Sequence, residues 1–329
     1  MSTLNDTTTS AENGACAVLG TGTMGVQIAF SLAFGGKPVA LWGRRAEALE
    51  KAKETFVDIF DFLVGEGLAA ASEKEGVLAR LTCTSDLASA VKNASFVIEA
   101  IVEDFNQKQS IFKEVEALSS PETIIASTTS ALCARDLQNG LARPEKFCVA
   151  HYIQPAHLMA LVEVVPGDQS SEETTAALTK LLEETGKAPV RCPDIPGFLF
   201  ARIQHVILRE FADLVGKGLV TAEACDTIMR QGYAARLPAM GPFEHADLSG
   251  LDLQNSAGAN AVWADLCTAS SPSQTPVGDL FLKEGHTGMR SGQGFYNWKE
   301  RDQDVFKAER DKEIVRRMKI NKGGRIVMD

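Results

Sequence analysis

Short apolar runs alternate with longer amphipathic ones along the first half of the chain. "CAVL", Cys16 to Leu19, has no polar interruption and reads as a strand buried on both faces. Val26 to Phe34 follow as an apolar helical stretch, a Gly-Gly pair stops it, and Pro38 to Trp42 form a second short strand. Residues 44 to 80 read as helices, most clearly in "FVDIFDFLV". "SFVIEAI" predicts another strand. "DFNQKQSIFKEVEAL" predicts an amphipathic helix, because Ile111, Val115 and Leu118 fall at i, i+4 and i+7. "ETIIAST" is the next strand. A further one ends at Ala150, and after a proline turn Leu161 to Val165 return. This alternation implies an α/β fold, a doubly wound parallel sheet with ligands beyond the carboxyl ends of its strands.

The pattern changes near residue 195. "PDIPGFLFARIQHVILREFADLVGKGLV" begins at a proline-rich junction and becomes a long apolar helix. "TAEACDTIMRQG" predicts a helix with Thr221 as N-cap and Gly232 as stop. "GPFEHADLSGLDLQNSAGANAVWADL" predicts one further helix, and the charged tail from Lys299 a partly helical solvated face. The expected organisation is a disordered tail over residues 1–13, an α/β domain over 14–194, and an all-helical domain over 195–329.

Composition narrows the function. A chain of 329 residues is long for one core, in keeping with two domains. A net charge of −10 argues against a general nucleic-acid surface. No apolar run reaches the roughly 18 residues that span a bilayer, so no membrane partner is expected. The polar start lacks the features of a secretory signal. The seven cysteines are scattered, without a CxxC pair or Cys/His cluster. That spacing fits cytoplasmic thiols and suggests neither a disulfide framework nor a metal site.

The first strand carries the strongest chemical signal. Gly20, Gly22 and Gly25 form G-x-G-x-x-G between a strand and a helix, the context of a dinucleotide-binding turn. Gly20, Gly22, Thr23, Met24 and Gly25 are therefore expected to hold the cofactor, with the pyrophosphate at the helix N-terminus. NAD enzymes usually place an acid at the end of the second strand, to hold the ribose 2′-hydroxyl. Here Gly43 stands there, and Arg44 and Arg45 follow. A small residue beside guanidinium groups favours a 2′-phosphate, so NADP is expected over NAD. One arginine suffices, with the other left to solvent. Two solvated arginines are the alternative.

Glu103 and Ser130 fall just past strands, where such sheets place ligands. Locally they read equally well as a helix-start charge and a turn hydroxyl. "HYIQPAHLMALVEVV" sets His151 just past one strand and Glu163 on the next, and a strand, turn and return strand can bring the two face to face. A carboxylate beside an imidazole fixes its tautomer and stabilises its protonated form, as a general base for a hydroxyl requires. A structural ion pair is the alternative. His157 has no comparable carboxylate, and His245 with Glu244 and Asp247 reads as helix-start polarity.

With "GTGTMG", "IEAIVEDFNQKQSIF", "STTSAL", "HYIQPAHLMALVEVV", "PGFLFAR", "GPFEHADLSGLDL" and "SGQGFYNW" in this order, the chain resembles the L-3-hydroxyacyl-CoA dehydrogenase family from about residue 15 to 298. "GPFEHADLSGLDL" resembles the branch that includes L-gulonate 3-dehydrogenase and lambda-crystallin. The resemblance implies an NAD(P)-dependent oxidoreductase that interconverts a small 3-hydroxy acid and its 3-oxo form. It implies a helical second domain that forms a homodimer. It casts His151 as catalytic base, Glu163 as its partner and Ser130 as the contact to the substrate oxygen. Glu103, Lys108 and Arg290 match cofactor contacts.

Three departures stand out. Ala201 occupies the position of a substrate-contacting asparagine, Gln154 replaces the asparagine of His-x-x-Asn-Pro, and Gly43 replaces the acid. Where CoA-using members carry serine and lysine, an ungapped count gives Ile59 and Glu66, which favours an acid without CoA. A CoA-thioester dehydrogenase and a crystallin-like cofactor-binding protein with little turnover are the rivals. Ala201 is the argument for the second.

Overall fold

The computed structural model describes residues 14–254, 256–275 and 284–323. Its contacts divide the chain after Arg202. The first unit is an eight-stranded sheet in the order β3-β2-β1-β4-β5-β6-β7-β8. The strands are β1 (Cys16–Leu19), β2 (Val39–Trp42), β3 (Leu81–Thr84), β4 (Phe96–Glu99), β5 (Ile124–Ser127), β6 (Phe147–Tyr152), β7 (Leu161–Pro166) and β8 (Ala188–Arg191). Pairing is parallel from β3 through β6, antiparallel between β6 and β7, and parallel between β7 and β8.

Between the strands run α1 (Thr23–Phe34), α2 (Ala46–Gly65), α3 (Lys74–Leu78), α4 (Leu87–Val91), α5 (Phe105–Leu118), α6 (Ala134–Gln138) and α7 (Glu172–Glu184). The central strands are apolar throughout because both faces are covered. Ala17, Leu19, Val97, Ile125 and Val149 pack with Phe112, Val115 and Leu137 from the helices. The doubly wound sheet is as predicted. β3 ("LTCT") and β8 ("APVR") were not foreseen. Both are edge strands of four residues and mixed polarity, with no apolar run to mark them.

The helix α8 (Phe200–Gly216) leads into the second unit. Thr221 caps the next helix, accepting from the Ala224 N–H, as its sequence implies. Gly232 does not stop that helix. Ala222–Ile228 runs on through a π-turn at Met229–Tyr233 into Ala234–Arg236, and Gly232 lies inside that turn. The single helix expected from residue 241 is three, Pro242–Ser249, Leu251–Gln254 and Ala257–Asp265. Gly250, at φ 93°, breaks the first from the second, and Ser256 starts the third as its N-cap. Glu244 accepts from the Gly241 N–H at the start of the first, the helix-start role read for it. The charged tail forms the helix Gln303–Gly323. The expected tail over residues 1–13 lies outside the described residues. Among the described residues no helix is long and apolar enough to cross a membrane.

Candidate active site

After β1 the chain turns through Gly20, at φ 125°, where a Cβ would collide with the Ala100 carbonyl. At Gly25 a Cβ would be driven into the Gly20 carbonyl oxygen. Both positions therefore demand glycine. Gly22 is the N-cap of α1 without a side-chain cap, and nothing lies within 4 Å of where its Cβ would stand. Gly22 and Thr23 are exposed, and Met24 is half-buried. The unpartnered first N–H groups of this 12-residue helix thus face open space, and the turn fits a dinucleotide pyrophosphate.

Beyond β4 lies a polar group that sequence reasoning missed. Glu99, the last residue of β4, is fully buried. It accepts from Lys108 Nζ at 2.6 Å, Ser127 Oγ at 2.6 Å and the Ile101 N–H at 2.8 Å. Lys108 is 1% exposed and also reaches Glu103 Oε2 at 3.2 Å. The Thr129 hydroxyl donates to Glu103, and its oxygen accepts from the Leu132 N–H at 3.0 Å. For Lys108 this burial bears on the expected cofactor contact. Its ammonium is committed inside the fold, and of the pair only Glu103, with its side chain 44% exposed, presents a surface to a ligand. An acid inside the apolar run "FVIE" was the available signal.

His151 and Glu163 are direct cross-strand partners on β6 and β7. β6 extends past its expected end at Ala150 to Tyr152, which puts His151 inside the ladder. His151 Nδ1 and Glu163 Oε2 are 2.7 Å apart, with the residues 7% and 2% exposed. Glu163 Oε1 accepts from the Leu199 and Phe200 N–H groups, both at 2.9 Å, and from the Cys192 thiol at 3.4 Å. Gly197 and Phe198, at φ 75° and 46°, turn the chain into α8 so that its first N–H groups meet this carboxylate. Burial alone would raise the Glu163 pKa. The hydrogen bonds from His151, Phe200, Leu199 and Cys192 outweigh it and hold the carboxyl below its usual range. Burial, and then the same carboxylate, push the Cys192 thiol up to about 12. An ionised Glu163 accepts a hydrogen bond from Nδ1–H and leaves His151 Nε2 free to exchange a proton with a substrate.

Ser130 is exposed on the loop after β5, two residues before the N–H that Thr129 anchors. Ala201 is the second residue of α8, next to the N–H groups on Glu163. Gly20, Gly43, Glu103, Ser130 and His151 all lie at or past the carboxyl ends of parallel strands, the edge where such sheets bind ligands. Arg44 and Arg45 are exposed after β2, and Arg45 is the N-cap of α2. Arg290 belongs to the second unit, exposed in the turn closed by the Gly288–Gln293 bridge. Ile59, counted as facing CoA, is 7% exposed and packs in the core. The exposed residues beside it are Asp58 and Asp61, with Lys74 bound to Asp61 at 2.6 Å.

Residues 15–195 match the 3-hydroxyacyl-CoA dehydrogenase NAD-binding domain, and residues 197–298 match that family's C-terminal domain. The chain belongs to the 3-hydroxyacyl-CoA dehydrogenase family. It is an NAD(P)-dependent oxidoreductase of that family. Human mitochondrial hydroxyacyl-coenzyme A dehydrogenase is 33% identical, over 86% of this chain and 90% of its own length. A 5-formyl-3-hydroxy-2-methylpyridine 4-carboxylate 5-dehydrogenase from Mesorhizobium japonicum is 29% identical, over 93% and 98%. The solved structure of an enzyme of that activity, described as an NAD+ dependent dismutase, is 29% identical and superposes with a TM-score of 0.86 over 94% of this chain and 99% of that one. The (S)-3-hydroxybutyryl-CoA dehydrogenase of Ralstonia eutropha is 27% identical and gives 0.70, over 87% and 99%.

Proposed function

We propose that this family member interconverts a small 3-hydroxy acid, free of CoA, and its 3-oxo form, with NADP(H) preferred. The observation that carries the reading is the buried His151–Glu163 pair at the ligand-binding edge of a sheet that begins with an open glycine turn. In the oxidative direction the hydroxyl proton passes to His151 Nε2, Glu163 stabilises the imidazolium, and Ser130 holds the substrate oxygen. Bound NAD(P) supplies the hydride acceptor. Gly20, Gly22, Thr23, Met24 and Gly25 hold its pyrophosphate. Glu103 and Arg290 are assigned as further cofactor contacts, and Lys108 acts through Glu103.

An acid without CoA is favoured by the surface of α2 around Asp58 and Asp61, where the nearby Lys74 is paired to Asp61 rather than free for CoA phosphates. The closer superposition on an enzyme named for a pyridine carboxylate points the same way. "GPFEHADLSGLDL" supports the branch that includes L-gulonate 3-dehydrogenase and lambda-crystallin. Steady-state kinetics on a panel of free hydroxy acids and their CoA thioesters, with both cofactors, tests the reading. The highest kcat/KM is expected for a free acid with NADP. A thioester or NAD at the top would reverse the corresponding part. No turnover on any of them would favour the binding-protein rival that Ala201 raises.

The second unit supports a homodimer. Ile203 and Val206, one turn apart on α8, are 60% and 57% exposed, and Phe243 and Trp263 are 88% and 76% exposed. So much exposed apolar area marks an interaction surface. Sedimentation velocity should show twice the 35.3 kDa chain mass. A monomer at micromolar concentration would remove the dimer. Seven free thiols, six of them buried, suit a reducing compartment such as the cytoplasm.

A further inference from the structure

A cleft of about 530 Å3 opens between the glycine turn and α2. Thr21, Thr23 and Gln27 line one wall, and Arg45, Lys51 and Thr55 line the other. Ala48 and Ala52, on the same stripe of α2 as Lys51 and Thr55, are small and leave it open. Among the described residues no carboxylate lies within ion-pair distance of Arg44, Arg45 or Lys51. Nearby Lys53 and Lys74, by contrast, are held by Glu50 and Asp61 at 2.8 and 2.6 Å. Of the two arginines after β2, only Arg45 lines the cleft.

Gly43 has a steric partner as well as an electrostatic context. A Cβ built on it would stand 2.5 Å from Thr21 Cγ2 and 3.3 Å from Leu49 Cδ2. The Thr21 methyl therefore occupies the room that an acid at position 43 would need. An absent acid at this place is not simply a lost contact, because the fold has filled its space from the glycine turn.

We propose that this cleft is a phosphomonoester subsite for the adenosine 2′-phosphate of NADP. Arg45 and Lys51 are its cations, and Thr21 is the residue that bars an acid from position 43. The inference rests on the NADP reading above and adds Lys51 and Thr21 to it. Two cations on one wall of the cleft hold a doubly charged phosphate better than one exposed arginine does, and neither favours an uncharged ribose diol. Glu47 lines the same cleft and opposes the phosphate, so removing its charge should strengthen binding.

The experiment measures dissociation constants by calorimetry, at one ionic strength, on the full chain. The probes are adenosine 2′,5′-bisphosphate, adenosine 3′,5′-bisphosphate and adenosine 5′-monophosphate. The 3′,5′ isomer carries the phosphate pattern of CoA. The wild type should prefer the 2′,5′ isomer over both others. Lys51→Met should weaken it by about 10-fold and Glu47→Gln should tighten it, with the monophosphate changed less than about 2-fold. A wild type that does not prefer the 2′,5′ isomer over the monophosphate would overturn the NADP reading and the subsite together. Preference for the 3′,5′ isomer would give the cleft to CoA and overturn both. A wild-type 2′,5′ preference lost in Arg45→Met but untouched in Lys51→Met would overturn the place of Lys51 alone. For Thr21, Gly43→Asp should weaken NADPH and NADH together, and Thr21→Ala/Gly43→Asp should recover NADH by about 10-fold. Equal NADH binding by the single and double variants would remove Thr21 from the assignment.

Discussion

His151→Ala is expected to lower kcat by about 100-fold or more while leaving the dissociation constant of NADP(H) within about 2-fold of the wild type. In the proposed reaction the imidazole carries the proton. Its Nδ1 is occupied by Glu163 at 2.7 Å, so Nε2 is the ring atom left for the substrate. Cofactor affinity is spared because the glycine turn after β1 is built without the histidine, from Gly20, Gly25 and the Ala100 carbonyl. Single-turnover rates with cofactor titrations in parallel check both halves. Near-normal turnover would remove His151 from the mechanism. Equal loss of cofactor binding would make it a structural histidine. The ionised partner also fixes the direction of pH dependence. Because the Glu163 pKa is lowered in the fold, its hydrogen bonds stabilise the protein above the ordinary carboxylate pKa. That stability is lost as pH falls through the lowered value.

Glu99→Ala should cost about 3–5 kcal/mol of stability, because it leaves the Lys108 ammonium buried with its main partner gone. Glu99 also accepts from Ser127 and from the Ile101 N–H, so two further donors lose their acceptor. The double variant Glu99→Met/Lys108→Met should recover a large part of the loss, since an apolar pair of similar volume has no charge to desolvate. Urea midpoints of wild type, Glu99→Met, Lys108→Met and the double variant complete the cycle. A single-variant loss below about 1 kcal/mol would mean that water or another group reaches Lys108, contrary to its 1% exposure.

The buried pair also shows where sequence reasoning reached its limit. Glu103 and Lys108 are visible in "EDFNQK", but their spacing says nothing about which way the lysine points. α5 begins at Phe105 with Asp104 as its N-cap, accepting from the Gln107 N–H. That register turns Lys108 inward with Ile111, Phe112 and Val115. Glu99 hid inside an apolar strand, where an acid reads as the strand's end. Gly232 and Gly250 look alike as helix stops, yet only Gly250 takes a positive φ, and only Gly250 breaks a helix.

Sequence by itself determined the parallel strands β1, β2, β4, β5 and β6, the glycine turn and the family. Each rests on local physics. A strand buried on both faces must be continuously apolar, and a backbone at φ 125°, or one pressed on a carbonyl, admits only glycine. Sequence also put His151 just past one strand and Glu163 on the next, where a return strand can bring them together. Tertiary structure alone decided that the two are register partners in an antiparallel pair, that the first N–H groups of α8 clamp the carboxylate, and that Thr21 fills the space beside Gly43. These are contacts between segments up to 37 residues apart in the chain, and no local pattern encodes them. They follow from which faces pack, because a buried charge must find its partners wherever the fold brings them.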